Sequence, residues 1–568
     1  MLTHRNFPAD LKSMGAEELA ALCEEIRQEI VAVCLRNGGH LGASLGAVEI
    51  AVALHRIFDS PRDKLIWDVG HQAYAHKLLT GRAERFPSLR TKGGLSGFLS
   101  REESPHDIFG AGHSSTALSA ALGVAYQNKD WTVAVIGDGG MTAGVSFEAL
   151  NNVLSPNPRG PLLVILNDNQ MSISENVGGI HRVLSDGRAP EFFQLFGFEY
   201  VGPLSGHDLP TLLGTLNGIR SARPARPILL HLITQKGKGY SPAEERPAYY
   251  HGVGPTQPKG GEQSWSEAFG LALVEAAEKN PRVLAITAAM GNGTGLLPFA
   301  ARFPERYFDV GIAEPHAVTF AGGLATQGWR PVCAIYSTFL QRAFDAIIHD
   351  VALQKQTVVF AVDRAGLVGA DGPTHHGVFD LAYAGMVPNT QIFTPEFSDD
   401  VAFALEGGLQ HAGPTFIRYP RGKTNRDPAR PPADVRVEGA TLEDARKIIF
   451  SFGPVGVRVR TILSKLNPEM RARVMCVSII QASPAPTLIH EILASAAHRG
   501  IEVLFFEDGI FHGGLSSSLV ARTPGLRAHY FTYPDEFIGH GEVLELEEEF
   551  GRTTAAILDV LKEGLEHD

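Results

Sequence analysis

Short apolar runs rich in β-branched residues recur along this chain, separated by longer amphipathic stretches. That alternation limits the fold more than any other feature. The runs begin at Trp131 (WTVAVIG), Pro161 (PLLVILN), Ala225 (ARPILLHLIT), Pro281 (PRVLAIT), Arg330 (RPVCAIY), Thr357 (TVVFAVD), Arg446 (RKIIFSFG) and Ile501 (IEVLFFED). Each is apolar almost throughout, so both faces need cover, as in a parallel sheet between helices. Amphipathic stretches such as Ala16 to Leu35 and Ser264 to Asn280 supply that cover. Repeated strand–helix–strand units predict an α/β protein.

With 568 residues the chain has room for three or four domains. Two linkers rich in Pro and Gly, Gly252 to Gln263 and Arg421 to Val435, divide it into domains expected at 1–255, 263–425 and 435–568. A formal charge of −12 lacks the basic footprint of a nucleic-acid binder. No apolar run reaches the roughly 20 residues of a membrane span, and the N-terminal stretch reads as neither signal nor transit peptide. Cys23, Cys34, Cys333 and Cys476 show no CxxC spacing and read as reduced, structural thiols in a cytoplasmic protein.

The run from Trp131 ends in Gly137-Asp138-Gly139-Gly140, with a helix expected from about Met141. Glycines let the backbone turn sharply beside a phosphate, a helix start offers free N–H groups, and Asp138 is a hard oxygen ligand for Mg²⁺. The next run ends in Asn167-Asp168-Asn169-Gln170-Met171. Side by side, the two strand ends would share the rim where open α/β sheets bind ligands. A lone GDG is only a tight turn. GDG followed by NDN, each after a buried strand, spells a thiamine diphosphate fingerprint.

In this context the chain resembles the 1-deoxy-D-xylulose-5-phosphate synthases, which are transketolase-like thiamine enzymes. The matching phrases include GGHLGASLGAVEI, DVGHQAYAHK, GHSSTALSAALG, VIGDGGMTAG, LNDNQMSISENVG, KGKGYSPAE, DVGIAEPHAV, YSTFLQRAFD, DRAGLVGADGPTHHG, RYPRG and PDEFIGHG. The resemblance implies three doubly wound domains: a diphosphate-binding one, a pyrimidine-binding one and a C-terminal one. It implies Mg²⁺ on Asp138, Asn169 and the carbonyl of Met171. It places His71, Gly112, His113, Ser114, Gly139, Gly140, Asn169, Lys236, Tyr240 and Phe339 on thiamine diphosphate. Ile173 would support the bent cofactor from below, and both it and Phe339 could equally be plain core.

Glu314 opens a helix after the strand-like FDVGIA. Charge matching at a helix start would explain such a residue. By the resemblance, Glu314 is instead the carboxyl that hydrogen-bonds the aminopyrimidine and switches its tautomer, a role suited to a carboxyl in an apolar pocket. The implied reaction condenses pyruvate with D-glyceraldehyde 3-phosphate, releasing CO₂ and 1-deoxy-D-xylulose 5-phosphate. It opens the methylerythritol phosphate route to isoprenoids and also feeds thiamine and pyridoxal synthesis. His40, His251 and His375 would move protons, His375 together with Asp371, and Ser44, Tyr336, Arg342, Arg364 and Arg421 would hold substrate. The family also implies a homodimer, with its active site built within or between chains.

Four departures from the family stand out. Pro315 and His376 replace usual glutamines, and QASPAPTL stands where a Pro-Leu-Asp phrase is expected. The long mobile segment usual after SISENVGG is cut to a short loop expected near 178–192. A thiamine enzyme with another acceptor, or a non-catalytic thiamine-binding homologue, would share most of these phrases.

Overall fold

A computed structural model of the chain describes residues 2–155, 160–172, 176–254, 263–563 and 565. Most of the expected linker Gly252 to Gln263 lies outside them. Among the described residues there are three sheets, and all eight apolar runs form strands within them.

The first sheet holds β1 (Lys64–Trp67), β2 (Thr132–Gly137), β3 (Leu162–Asp168), β4 (Glu199–Ser205) and β5 (Ile228–Ile233), in the order β1-β2-β3-β5-β4 and wholly parallel. Every residue of β3 is buried, as the apolar run Leu162 to Leu166 requires, and the polar Asn167 and Asp168 close the strand. The second sheet holds β6 (Val283–Thr287), β7 (Tyr307–Asp309), β8 (Arg330–Tyr336), β9 (Val358–Ala365), β10 (Gln391–Phe393) and β11 (Pro414–Pro420), all parallel. The third holds β12 (Val435–Gly439), β13 (Lys447–Phe452) and β14 (Val474–Ile479). The chain then lends β15 (Gln481–Ser483) to the second sheet, antiparallel to β10, before completing the third with β16 (Glu502–Ile510) and β17 (Arg527–Tyr533).

The chain packs as two compact units. One is Met1–Lys259 with Gly311–Ala313 and Ala370–Thr374. The other is Gly260–Val310, Glu314–Gly369 and His375–Asp568. The linker Arg421 to Val435 lies between the second and third sheets, which β15 and a shared apolar core running from Leu284 to Leu519 join into one compact unit. The stretch expected as a shortened mobile loop near 178–192 is instead helical, as Gly178–Ser185 and Ala189–Leu195. Pro190 sits in the first turn of the second helix, where its missing N–H costs nothing, and Phe193 is buried. Among the described residues no helix is long and apolar enough to cross a membrane. All four cysteines are free; Cys23, Cys34 and Cys333 are buried and Cys476 is half-buried.

Candidate active site

In the first unit, β2 and β3 lie in register, Gly137 opposite Asn167, so both motifs emerge at one edge. The helix expected from Met141 is a single 3₁₀ turn, Gly140–Thr142, and the α-helix starts at Gly144. Asp138 is 2% exposed. Its Oδ2 accepts from Asn176 Nδ2 at 2.7 Å, while its Oδ1 is buried without a hydrogen-bond partner. Burial and the adjacent Asp168 push the Asp138 carboxyl well above the usual range. Two buried carboxyls with an open oxygen are costly alone, but they are the hard donors a divalent cation takes. The residues therefore fit the expected metal.

Asn169 Oδ1 accepts the Met171 N–H at 3.1 Å, which folds the strand end into a turn, and Gln170 there has φ +61°. Asn169 and Met171 line a cleft of about 280 Å³ together with Asp168, Lys236 and Glu244. Lys236 Nζ donates to the Ser172 carbonyl, and burial lowers the amine to about 8 against the pull of Asp138. A Cβ on Gly140 would lie 2.5 Å from Asp68 Oδ2, so glycine is required there; one on Gly139 would lie 3.0 Å from Ser172 Cβ. Asp68 also accepts the N–H groups of Ser115 and Ala117, shaping the Gly112-His113-Ser114 turn. His113 Nε2 donates to the Thr374 carbonyl at 2.7 Å, and the Ser114 and Ser115 hydroxyls lie 3.1 Å apart.

Three predicted histidines converge in this unit. The backbones of Gly39 and Val253 exchange two hydrogen bonds of 2.8 Å, which brings His251 beside His40. Ring centroids are 5.7 Å apart for His40–His251, 6.1 Å for His40–His71 and 5.6 Å for His71–His251. Burial drives His71 down to about 3 and His251 well below its usual range, so both rings stay neutral. Their Nδ1 atoms are buried without partners. Ser44 Oγ donates to the His71 carbonyl at 2.8 Å and so holds that turn. Asp371 is ion-paired with Arg90, and Tyr240 packs edge-on against Tyr250.

In the second unit, Glu314 opens the helix Glu314–Thr326 and is 3% exposed. Its Oε2 has no hydrogen-bond partner; Arg342 NH1 stands 4.0 Å away. Burial raises the carboxyl, and Arg342 only partly opposes it. Exposed Pro315 fits the first turn, where proline is tolerated. Tyr336 ends β8. The Arg364 guanidinium lies 3.8 Å over its ring, and Phe339 stacks at 5.9 Å. His375 packs edge-on against Phe339 at 5.4 Å. Arg364 is in the left-handed region at φ +58°, a conformation uncommon for arginine and typical of functional turns. Arg421 is exposed, just past β11. His376 is buried: Nδ1 accepts the Val368 N–H at 3.1 Å and Nε2 donates to the Gly539 carbonyl at 2.9 Å. A glutamine offers the same acceptor and donor, so this departure from the family is structurally conservative.

Ile173 lies outside the described residues. Sequence reasoning missed Asp68, Asn176 and the chain that runs from Tyr200 through His231 to Asp168, at 2.7 and 2.9 Å across β4, β5 and β3. Against burial, which raises it, the His231 hydrogen bond holds Asp168 low. A lone polar residue inside the apolar run ILLHLI was the available signal for His231.

Comparison with known proteins places the chain among the transketolase-type enzymes. A family model described as 1-deoxy-D-xylulose-5-phosphate synthase matches residues 2–194 and 188–234. One described as transketolase, pyrimidine binding domain, matches 261–426. The 1-deoxy-D-xylulose-5-phosphate synthase 2 of Geobacter sulfurreducens is 43% identical, covering 96% of this chain and 96% of that protein. The synthase of Myxococcus xanthus is 45% identical over 95% of each, and that of Syntrophotalea carbinolica 42% over 100% of this chain and 98% of its own. The chain belongs to the 1-deoxy-D-xylulose-5-phosphate synthase family.

Proposed function

We propose that this chain is a transferase that condenses pyruvate with D-glyceraldehyde 3-phosphate, giving 1-deoxy-D-xylulose 5-phosphate and CO₂. It would use thiamine diphosphate and Mg²⁺, act as a homodimer and work in the cytoplasm. The observation that carries this reading is Glu314, a carboxyl buried at a helix start with one oxygen unpartnered. Burial raises that carboxyl's hold on a proton, which a ring nitrogen can then share. When bound, the cofactor supplies an acidic carbon beside an electron sink that accepts the pair left by departing CO₂.

The chain's own residues do the rest. Asp138, Asn169 and the Met171 carbonyl would hold the metal. Lys236, His71, Tyr240, Gly139, Gly140 and the turn at Gly112, His113 and Ser114 would hold the diphosphate end, with Phe339 against the ring. His251, whose protonation is opposed by burial, and His40 beside it present ring nitrogens that can exchange protons. Arg342, Arg364, Arg421 and Tyr336 provide cationic and hydroxyl donors for a phosphate, with Ser44, Asp371 and His375 completing the substrate set.

The test is a coupled assay with mass analysis of the product. CO₂ release with both substrates should exceed that from pyruvate alone and should be matched by 1-deoxy-D-xylulose 5-phosphate. Equal rates, or cleavage of a ketose phosphate instead, would overturn it. A sedimentation mass of one chain would overturn the homodimer.

A further inference from the structure

The segment Gln235 to Tyr240 carries two residues of the diphosphate set, yet no regular element holds Lys236. β5 ends at Ile233, and the next helix, Ser241–Glu245, starts after Tyr240. Part of what fixes this segment is a pair of side-chain tethers that converge on one buried carboxylate. The Gln235 N–H donates to His207 Nε2 at 2.8 Å, and His207 Nδ1 donates to Glu49 Oε2 at 3.0 Å. The other Glu49 oxygen is ion-paired with Arg27, whose Nε donates to the Lys238 carbonyl at 3.1 Å. Glu49 is 7% exposed and Arg27 4%.

The tethers thus grip the backbone one residue before and two residues after Lys236, and both are oriented by the same carboxylate. Burial would raise that carboxyl, but His207 and Arg27 hold it below its usual range. A fixed anion sets the tautomer of His207: Nδ1 carries the proton for Glu49, which leaves Nε2 open to the Gln235 N–H. Two further bonds brace it, from the Gly237 N–H to the Gly42 carbonyl and from the Gly239 N–H to Glu244 Oε1, both at 2.8 Å. Gly237 and Gly239 are at φ +81° and +82°, and a Cβ on Gly239 would lie 2.7 Å from Arg27 Cδ. The three residues come from distant places: the helix Ala16–Asn37, the helix Val48–Ile57 and the SGHD phrase after β4.

We propose that His207, Glu49 and Arg27 are positioning residues, which hold the segment so that Lys236 is presented to the diphosphate. The inference rests on the thiamine reading above and adds to it the device that aims the lysine. The measurement is the Kd of thiamine diphosphate by calorimetry at saturating Mg²⁺, with the cofactor-free Tm read in parallel. His207→Leu removes both hydrogen bonds of the ring and should raise Kd about tenfold, with Tm within a few degrees of the unsubstituted chain. His207→Gln can still accept from Gln235 and donate to Glu49, and should stay within about twofold. If His207→Leu does not fold, His207→Ala replaces it in the same comparison. Equal Kd for all variants, or Leu and Gln weakened alike, overturns the inference while leaving the thiamine reading intact. Failure of the unsubstituted chain to bind thiamine diphosphate overturns the thiamine reading, and this inference with it.

Discussion

The two units bury titratable groups differently beside their functional turns. In the unit with Asp138 the rings of His71 and His251 are sealed in neutral form, their protonation opposed by burial and by Lys236. In the unit with Glu314 the buried groups are carboxyls and guanidiniums: Glu314 facing Arg342, Asp380 with Arg418, and Asp363 with its carboxyl raised to about 6 by burial, against the pull of Ser266 and Arg364. The difference teaches a division of labour. Burial raises a carboxyl in both units, and what differs is its neighbour: a second carboxyl, Asp168, stands beside Asp138, a pair for a cation to meet, whereas the Arg342 guanidinium stands beside Glu314.

The largest test of that division falls on Glu314. Glu314→Gln keeps shape and polarity but removes the transferable proton. It should lower kcat by about 10³-fold, within the usual range for a positioned acid–base group, while cofactor Kd changes little. Turnover near the unsubstituted level would show that the second unit's carboxyl is only structural.

Next in size is Arg364. Its guanidinium is fixed over Tyr336, and that stacking leaves its N–H groups free to point at an anion. Arg364→Met should raise the KM for the phosphorylated aldehyde about 30-fold, near 2 kcal/mol for a charge-assisted hydrogen bond, and leave the KM for pyruvate unchanged. An equal rise in both KM values would show that Arg364 serves the turn rather than the phosphate.

What the sequence made legible follows the same physics. β3 and β5 were readable because strands covered on both faces are apolar along most of their length, with polar residues only at the β3 end and at His231. β1, β10 and β15 were not, since three or four residues carry no period. β17 is long, but most of it is only partly buried, which dilutes the signal. Asp138 and Asn169 could be found because each ends a buried strand, and Glu314 because a charged residue among apolar neighbours is conspicuous. The tether through Glu49, His207 and Arg27 was hidden, because its members are 22 and 158 residues apart and only the packed fold joins them. The helix over Gly178–Ser185 was missed because family likeness suggested a loop where Ile180, Val183 and Leu184 have helical spacing.

The smallest expected effect is on stability, and here the two units should move in opposite directions. A histidine kept neutral by burial takes no proton in the folded state, while the unfolded chain takes one below about 6.5. With His71 lowered to about 3, the first unit loses about 2 kcal/mol between pH 7 and pH 5, because stability falls wherever the unfolded state binds more protons. Asp363 behaves conversely. Its folded carboxyl, at about 6, is mostly protonated at pH 5 while the unfolded one is not, so acidification adds about 1 kcal/mol to the second unit. Amide exchange protection, compared at pH 7 and pH 5, should therefore fall across 66–76 and 249–253 and hold or rise across 358–366. No fall across 66–76 would show that the histidine pocket of the first unit admits charge, and a fall across 358–366 would show that burial does not hold a proton on Asp363.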